Sequence, residues 1–239
     1  MLDDLASDSI ETQNQHAYDR MARSGHILAK TVTAEELRRP LEIVDGAGWL
    51  GGSIRGWHVL CLAAAGGRHS ALYQAAGAIV TVLDLSDGML ELDRLVSQEL
   101  KFNVRLIQGS MQDMRMLCDA EFDLVIQPVS TCYVSDVAPV FAEVSRILKP
   151  SGLYVSQHKQ PNNLQASLRT RNGKYTIDTE VGAYAITAKS DEPSPLREPN
   201  TREVAHSLES ILGGICRSGM VIEDIHEPNH ANNESVVDT

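Results

Sequence analysis

Two glycines in one turn, Gly66 and Gly67, and a carboxylate seventeen residues beyond them, Asp84, are the residues whose types and spacing point to ligand chemistry. The stretch VLCLAAAGGRHS, residues 59–70, reads as an apolar strand, a tight turn and the start of a helix. Such a turn lets backbone N–H groups approach a ligand, and the helix N-terminus favours negative charge. Asp84 closes the next apolar run, IVTVLD. A carboxylate there can accept two hydrogen bonds from a vicinal diol such as a ribose; its ordinary alternative is to cap the next helix. Alanine stands at 63 and 65 where glycine is usual. It keeps the amides and suits any position whose φ is negative, so the turn is still expected to hold a ligand.

Other chemistries find less support. A GxGxxG run is missing, which counts against a nicotinamide-dependent oxidoreductase, and a GxSxG elbow is missing, which counts against a serine hydrolase. His226 and His230 are four apart, but Pro228 between them breaks the helix that would align them, so no metal is expected. For transfer of a group to a hydroxyl or amine, a base within reach helps. His158, after the fifth expected strand, is the first candidate and Tyr133 the second; each also has an ordinary use in packing or hydrogen bonding.

Alternating elements must place these residues. Apolar runs at 58–63, 79–84, 103–108, 122–127, 153–157 and 220–225 predict six strands. Helices are predicted over 15–30, 68–76, 86–98, 135–148 and 201–218, with Ser86, Ser135 and Thr201 as N-caps. Thr33 and Glu36 form a capping box for a short helix that stops before Pro40. Residues 1–12 read as frayed, and 45–56 as a glycine-rich loop around Trp49. Strand and helix alternating at this spacing mean an α/β fold: a doubly wound, mostly parallel sheet with helices on both faces. Residues 159–200 interrupt the rhythm, with Tyr175, Ile177, Thr179 and Val181 alternating as in a strand. They follow the fifth strand, where open α/β sheets bind ligands, so they are read as a lid over the site. The expected organisation is an N-terminal helical segment and loop at 1–56 and one Rossmann-like domain at 57–239.

The order VLCLAAAGGRHS, VTVLDLSDGML, LIQGSMQDM, FDLVIQPVSTCYV and EVSRILKPSGLYVS resembles the class I S-adenosylmethionine-dependent methyltransferases of the small-molecule type. The likeness covers roughly residues 57 to 158. It implies that Ala63, Ala65 and Gly67 cradle the methionine end of the cofactor and that Asp84, with Leu85 beside it, binds the ribose. It further implies that Ser110 and Met111 meet the adenine and that Gln127 ends the strand bordering the methyl group; Met89, on the following helix, either faces the adenosine or, as its ordinary use, belongs to the core. The family usually carries an acid at the position of Cys61 and another near Ser110; both are departures here. The expected cofactor is S-adenosylmethionine, with S-adenosylhomocysteine as product. The resemblance leaves two functions open: methyl transfer to a small molecule, or binding and sensing of the cofactor without transfer.

Charge and composition narrow the partners. A net charge of -11 argues against nucleic acid, because phosphate binding needs clustered Lys and Arg. No apolar run is long enough for a membrane span, and the first residues carry no apolar leader core. The four cysteines form no CxxC pair, which fits reduced thiols in a cytoplasmic protein.

Overall fold

The computed structural model describes residues 9–161, 186–187, 198 and 200–227. Its centre is a parallel sheet of β1 (His58–Leu62), β2 (Ile79–Asp84), β3 (Arg105–Gln108), β4 (Phe122–Gln127) and β5 (Leu148–Ser156). The strands lie in the order β3-β2-β1-β4-β5. Chain progression reverses between β1 and β4, so a crevice opens there at the strands' C-terminal ends.

Both faces of the sheet are covered. Leu60 and Leu62 of β1 pack with Val140, Phe141, Val144 and Ile147 of α5 (Ala138–Ile147). Val59 and Cys61, pointing the other way, pack with Tyr73 of α3 (His69–Ala75) and Leu90 of α4 (Asp87–Leu100). A strand with no solvent face has no polar positions, hence the continuous apolar runs in the sequence. The expected doubly wound, Rossmann-like arrangement is present. Ser86 caps α4 as read, its Oγ accepting from the Met89 amide at 3.1 Å.

Several local expectations are corrected. The first helix, α1, runs Ile10–Ser24 rather than 15–30. Ser9 Oγ caps it by accepting from Thr12, and Gly25, at φ +66°, ends it. Both arms of the Thr33–Glu36 box form, at 2.8 and 3.3 Å. They lead only to a 3₁₀ turn, and α2 (Pro40–Val44) then starts at Pro40, where a missing N–H has no cost. Ser135 caps nothing: α5 begins at Ala138, whose amide donates to Asp136 Oδ1 at 2.9 Å. Thr201 is no helix cap either. Glu203–Val204 form β7, antiparallel to β6 (Ile186–Thr187). The last helix starts after Ser207, whose Oγ accepts from the Ser210 amide at 3.0 Å, and passes through a wide turn into α6 (Gly214–Arg217).

Residues 220–225 pair with no strand among the described residues. Met220 and Ile222 pack on the α5 side of the core, while Val221 is 83% and Ile225 61% exposed. Their alternation sets which side chains face inward, but a ladder needs a neighbouring strand as well. The alternating residues Tyr175 to Val181 of the expected lid lie outside the described residues.

Gly67 serves packing more directly than ligand approach. It has φ +80°, and a Cβ there would sit 2.8 Å from Val96 Cγ2 and 3.1 Å from the Leu92 carbonyl oxygen of α4. Gly67→Val combines a forbidden backbone with overpacking and is expected to lower the unfolding free energy by about 3 kcal/mol or more. Urea denaturation checks this; an unshifted midpoint would mean that α4 yields at this point without cost.

Candidate active site

A cleft of about 650 Å³, its open mouth included, lies over the C-terminal ends of β1, β2 and β4. Eight of the sequence-predicted residues line it: Ala63, Ala65, Asp84, Leu85, Met89, Ser110, Met111 and Tyr133. Cys61, Gly67, Gln127 and His158 are not on its wall. The fourth side, unforeseen, is α1, which contributes Glu11, Asn14, Gln15 and Tyr18. These four follow the i, i+3, i+4, i+7 spacing of one helix face, and every one is polar or amphipathic. That pattern was the available signal; reading residues 1–12 as frayed concealed it.

The turn after β1 is tighter than the sequence suggests. Ala63 has φ +48°, and Gly66 and Gly67 have φ +120° and +80°. The assumption of a negative φ at Ala63 is therefore wrong, and alanine is strained there by roughly 1–2 kcal/mol. The turn is held by acids. The Ala65 amide donates to Asp84 Oδ2 at 3.2 Å, and the Gly66 amide to Asp93 Oδ2 at 2.7 Å. The second oxygen of Asp84 accepts from the Ser86 amide at 2.9 Å. Each carboxylate oxygen carries two lone pairs, so Asp84 keeps acceptor capacity toward the cleft.

The predicted residues off the wall act behind it. Gln127 is buried, and its Nε2 donates to Met111 Sδ at 3.2 Å and to Ser130 Oγ at 2.9 Å, orienting two wall residues. Cys61 is a buried thiol whose pKa burial pushes well above its usual value, so it stays uncharged. His158 has both ring nitrogens engaged, Nδ1 with Thr131 Oγ1 at 2.9 Å and Nε2 with Ser156 Oγ at 2.8 Å. Burial, helped by His206, lowers its pKa to about 4. That environment suits a strut for the turn before Tyr133 better than a base.

Tyr133 stands within a hydrogen-bonded series. Tyr18 Oη donates to Tyr133 Oη at 2.9 Å, and the Tyr133 hydroxyl bonds in turn to Glu198. Glu198 shares Lys159 Nζ with Glu203, at 2.6 and 2.8 Å. The backbone around Tyr133 is pinned by His206, whose Nε2 faces the Thr131 and Val134 carbonyl oxygens at 3.1 and 2.9 Å. Asn14 Nδ2 donates to the Tyr133 carbonyl at 3.3 Å. Among the described residues no group of three His, Cys, Asp or Glu could hold a metal ion.

Burial raises the carboxyls of Asp84 and Asp93 from 3.8 to about 6. A group that binds its proton more tightly when folded adds stability below its unfolded pKa, and that contribution is lost as pH rises through the folded one. Stability from these two acids is therefore present below pH about 4 and falls away toward pH about 6. Asp93→Asn should flatten this part of a stability–pH curve measured by urea unfolding; an unchanged curve would show that Asp93 does not titrate there.

The geometry can be set beside known proteins. A family model described as "Methyltransferase domain" matches residues 60–156. The chain is 30% identical over 189 residues to an uncharacterized methyltransferase of Bacillus subtilis, YbaJ, covering 73% of this chain and 69% of that protein. It also resembles a crystal structure of an S-adenosylmethionine-dependent methyltransferase from Mesorhizobium loti, with a TM-score of 0.61 and 22% identity over 79% of this chain and 84% of that one. That likeness speaks for the fold. Among the described residues no helix is long and apolar enough to cross a membrane. The relative in B. subtilis, the domain match and the cleft agree: this chain belongs to the class I S-adenosylmethionine-dependent methyltransferases, enzymes whose cofactor is S-adenosylmethionine.

Proposed function

We propose that the enzyme moves the methyl group of S-adenosylmethionine, held in the cleft under α1, to a small-molecule acceptor beside Tyr133. Asp84 carries this reading: a carboxylate at the C-terminal end of the second strand, on the cleft wall, tied to the turn after the first. When bound, the cofactor supplies an electrophilic methyl group on a sulfonium. Transfer is then an in-line displacement that depends mainly on positioning.

The residues present fit such a ligand. Asp84 would accept from the ribose diol, and Leu85, Met89 and Met111 would give apolar surface to the adenine. Ser110 would meet the adenine edge, and Glu11, which accepts from Ser110 Oγ, supplies the acid that position 110 lacks. Ala63 and Ala65 would floor the methionine end. The turn's amides are engaged by Asp84 and Asp93, so this part of the cleft works through shape more than through spare donors.

Tyr133 is the residue placed to handle a proton. An acceptor's hydroxyl or amine proton would pass to Tyr133 Oη while Tyr133 releases its own to the carboxyl pair Glu198–Glu203 behind it, where burial raises Glu203 to about 7. Burial raises the Tyr133 phenol well above its usual pKa, so it works as a relay rather than as a standing phenolate. Enclosure by α1 and the net charge of -11 support a small acceptor over nucleic acid. The free, buried thiols of Cys61 and Cys132 fit a reducing, cytoplasmic setting.

Asp84→Ala should weaken binding of S-adenosylhomocysteine by about 1–3 kcal/mol with the fold kept, since charge-assisted hydrogen bonds to a diol are lost. Calorimetry measures it, and wild-type affinity would remove Asp84 from the site. Tyr133→Phe should keep that affinity and slow methyl transfer by roughly 10²-fold, followed as S-adenosylhomocysteine released against a panel of small alcohols, phenols and amines. Full turnover in the variant would place the proton elsewhere.

A further inference from the structure

We propose that Asp93 is the positioning residue of the turn after β1, an inference that rests on the cleft being the cofactor site. Asp93 has no exposed surface, although it lies in the middle of α4. Its Oδ2 accepts from the Gly66 amide at 2.7 Å, its Oδ1 accepts from Ser70 Oγ, and the Gly67 amide bonds to it as well. Three donors, two amides of the turn and one hydroxyl from the first turn of α3, converge on a carboxylate that another helix carries.

Two of those donors belong to the glycines at φ +120° and +80°, where the backbone is least constrained by its own side chain. Fixing both peptides fixes the neighbouring Ala65, whose amide reaches Asp84 and which lines the cleft. The ionisable groups facing Asp93 are Cys61 on β1 and Asp84 at the end of β2. Neither is a cation, so the charged form is balanced by hydrogen bonds alone, and burying it is costly. The buried face of α4 is otherwise made by Met89, Leu90 and Val96, and an apolar residue at 93 would continue it at lower cost. The acid is explained by what it holds.

The test compares full-length wild type, Asp93→Asn and Ser70→Ala. In Asp93→Asn, hydrogen exchange of the Gly66 and Gly67 amides should quicken by about tenfold or more while β1 and β4 amides stay protected. S-adenosylhomocysteine affinity should fall by about tenfold, and its rise between pH 5 and 7 should become shallower than in wild type. Ser70→Ala, which leaves the carboxylate in place and removes one donor, should show the same changes at about threefold; it serves if the Asn variant does not fold. Unchanged exchange at Gly66 and Gly67 overturns the proposal, as does faster exchange with unaltered affinity. Exchange is measured without ligand. A wild-type protein that fails to bind S-adenosylhomocysteine therefore strikes the cleft assignment, while the exchange rates still decide the role of Asp93.

Discussion

The turn after β1 must place backbone in the left-handed region at Ala63, Gly66 and Gly67 and at the same time direct amides inward, away from water. Buried N–H groups need acceptors, and here they find two carboxylates, Asp84 and Asp93. Burying two acids is unfavourable, and burial accordingly raises both carboxyls to about 6. The rest of the site follows from meeting that cost. β2 has to end at 84, so that one acid arrives from the sheet. α4 has to lie against the turn, so that the other arrives from the helix. Gly67 has to lack a side chain, because Val96 and the Leu92 carbonyl occupy the space a Cβ would take.

The same helix end anchors the cover of the cleft. Asp19 of α1 accepts from Ser86 Oγ at 2.6 Å and from the Gly88 amide at 2.9 Å, next to the cap of α4. An acid at a helix N-terminus meets both the unpaired amides and the positive end of the dipole. Once α1 is fixed there, its polar face lies over the cleft, Glu11 reaches Ser110, and Tyr18 reaches Tyr133. Asn14 then ties α1 to the segment before β7 by exchanging two hydrogen bonds with Arg202, at 2.9 and 2.7 Å. The Ser110 end and the Tyr133 end of the cleft thus share one wall, built from residues of α1.

Much of this was legible in local chemistry. Doubly covered strands write themselves as unbroken apolar runs, so β1, β2 and β4 were found with their ends nearly right, and with them the parallel sheet. Ser86 was a readable cap because its hydrogen bond spans only three residues. Asp84 was readable because its place depends on one strand ending and one turn preceding it. Residues 220–225 and 201–218 misled for the opposite reason: their patterns say which side chains face inward, and only a partner strand or a packed neighbour decides between ladder, coil and helix.

The amino-acid order by itself determined the fold class, the family resemblance, the ribose-binding candidate and the uncharged thiol at position 61. Only the tertiary structure decided what surrounds them. Asp93 reaches the turn from twenty-seven residues away, and Glu11 meets Ser110 across ninety-nine. Separations of that size leave no periodicity to read. The sequence placed His158 ahead of Tyr133 as a candidate base, since residue type and strand position were all it offered. Packing separated them: both nitrogens of His158 are engaged with hydroxyls behind the wall, while the hydroxyl of Tyr133 stands at the cleft with Glu198 behind it. Hydrogen bonds between distant segments exist only once the chain has closed on itself, and that is why the site's second half had to wait for the fold.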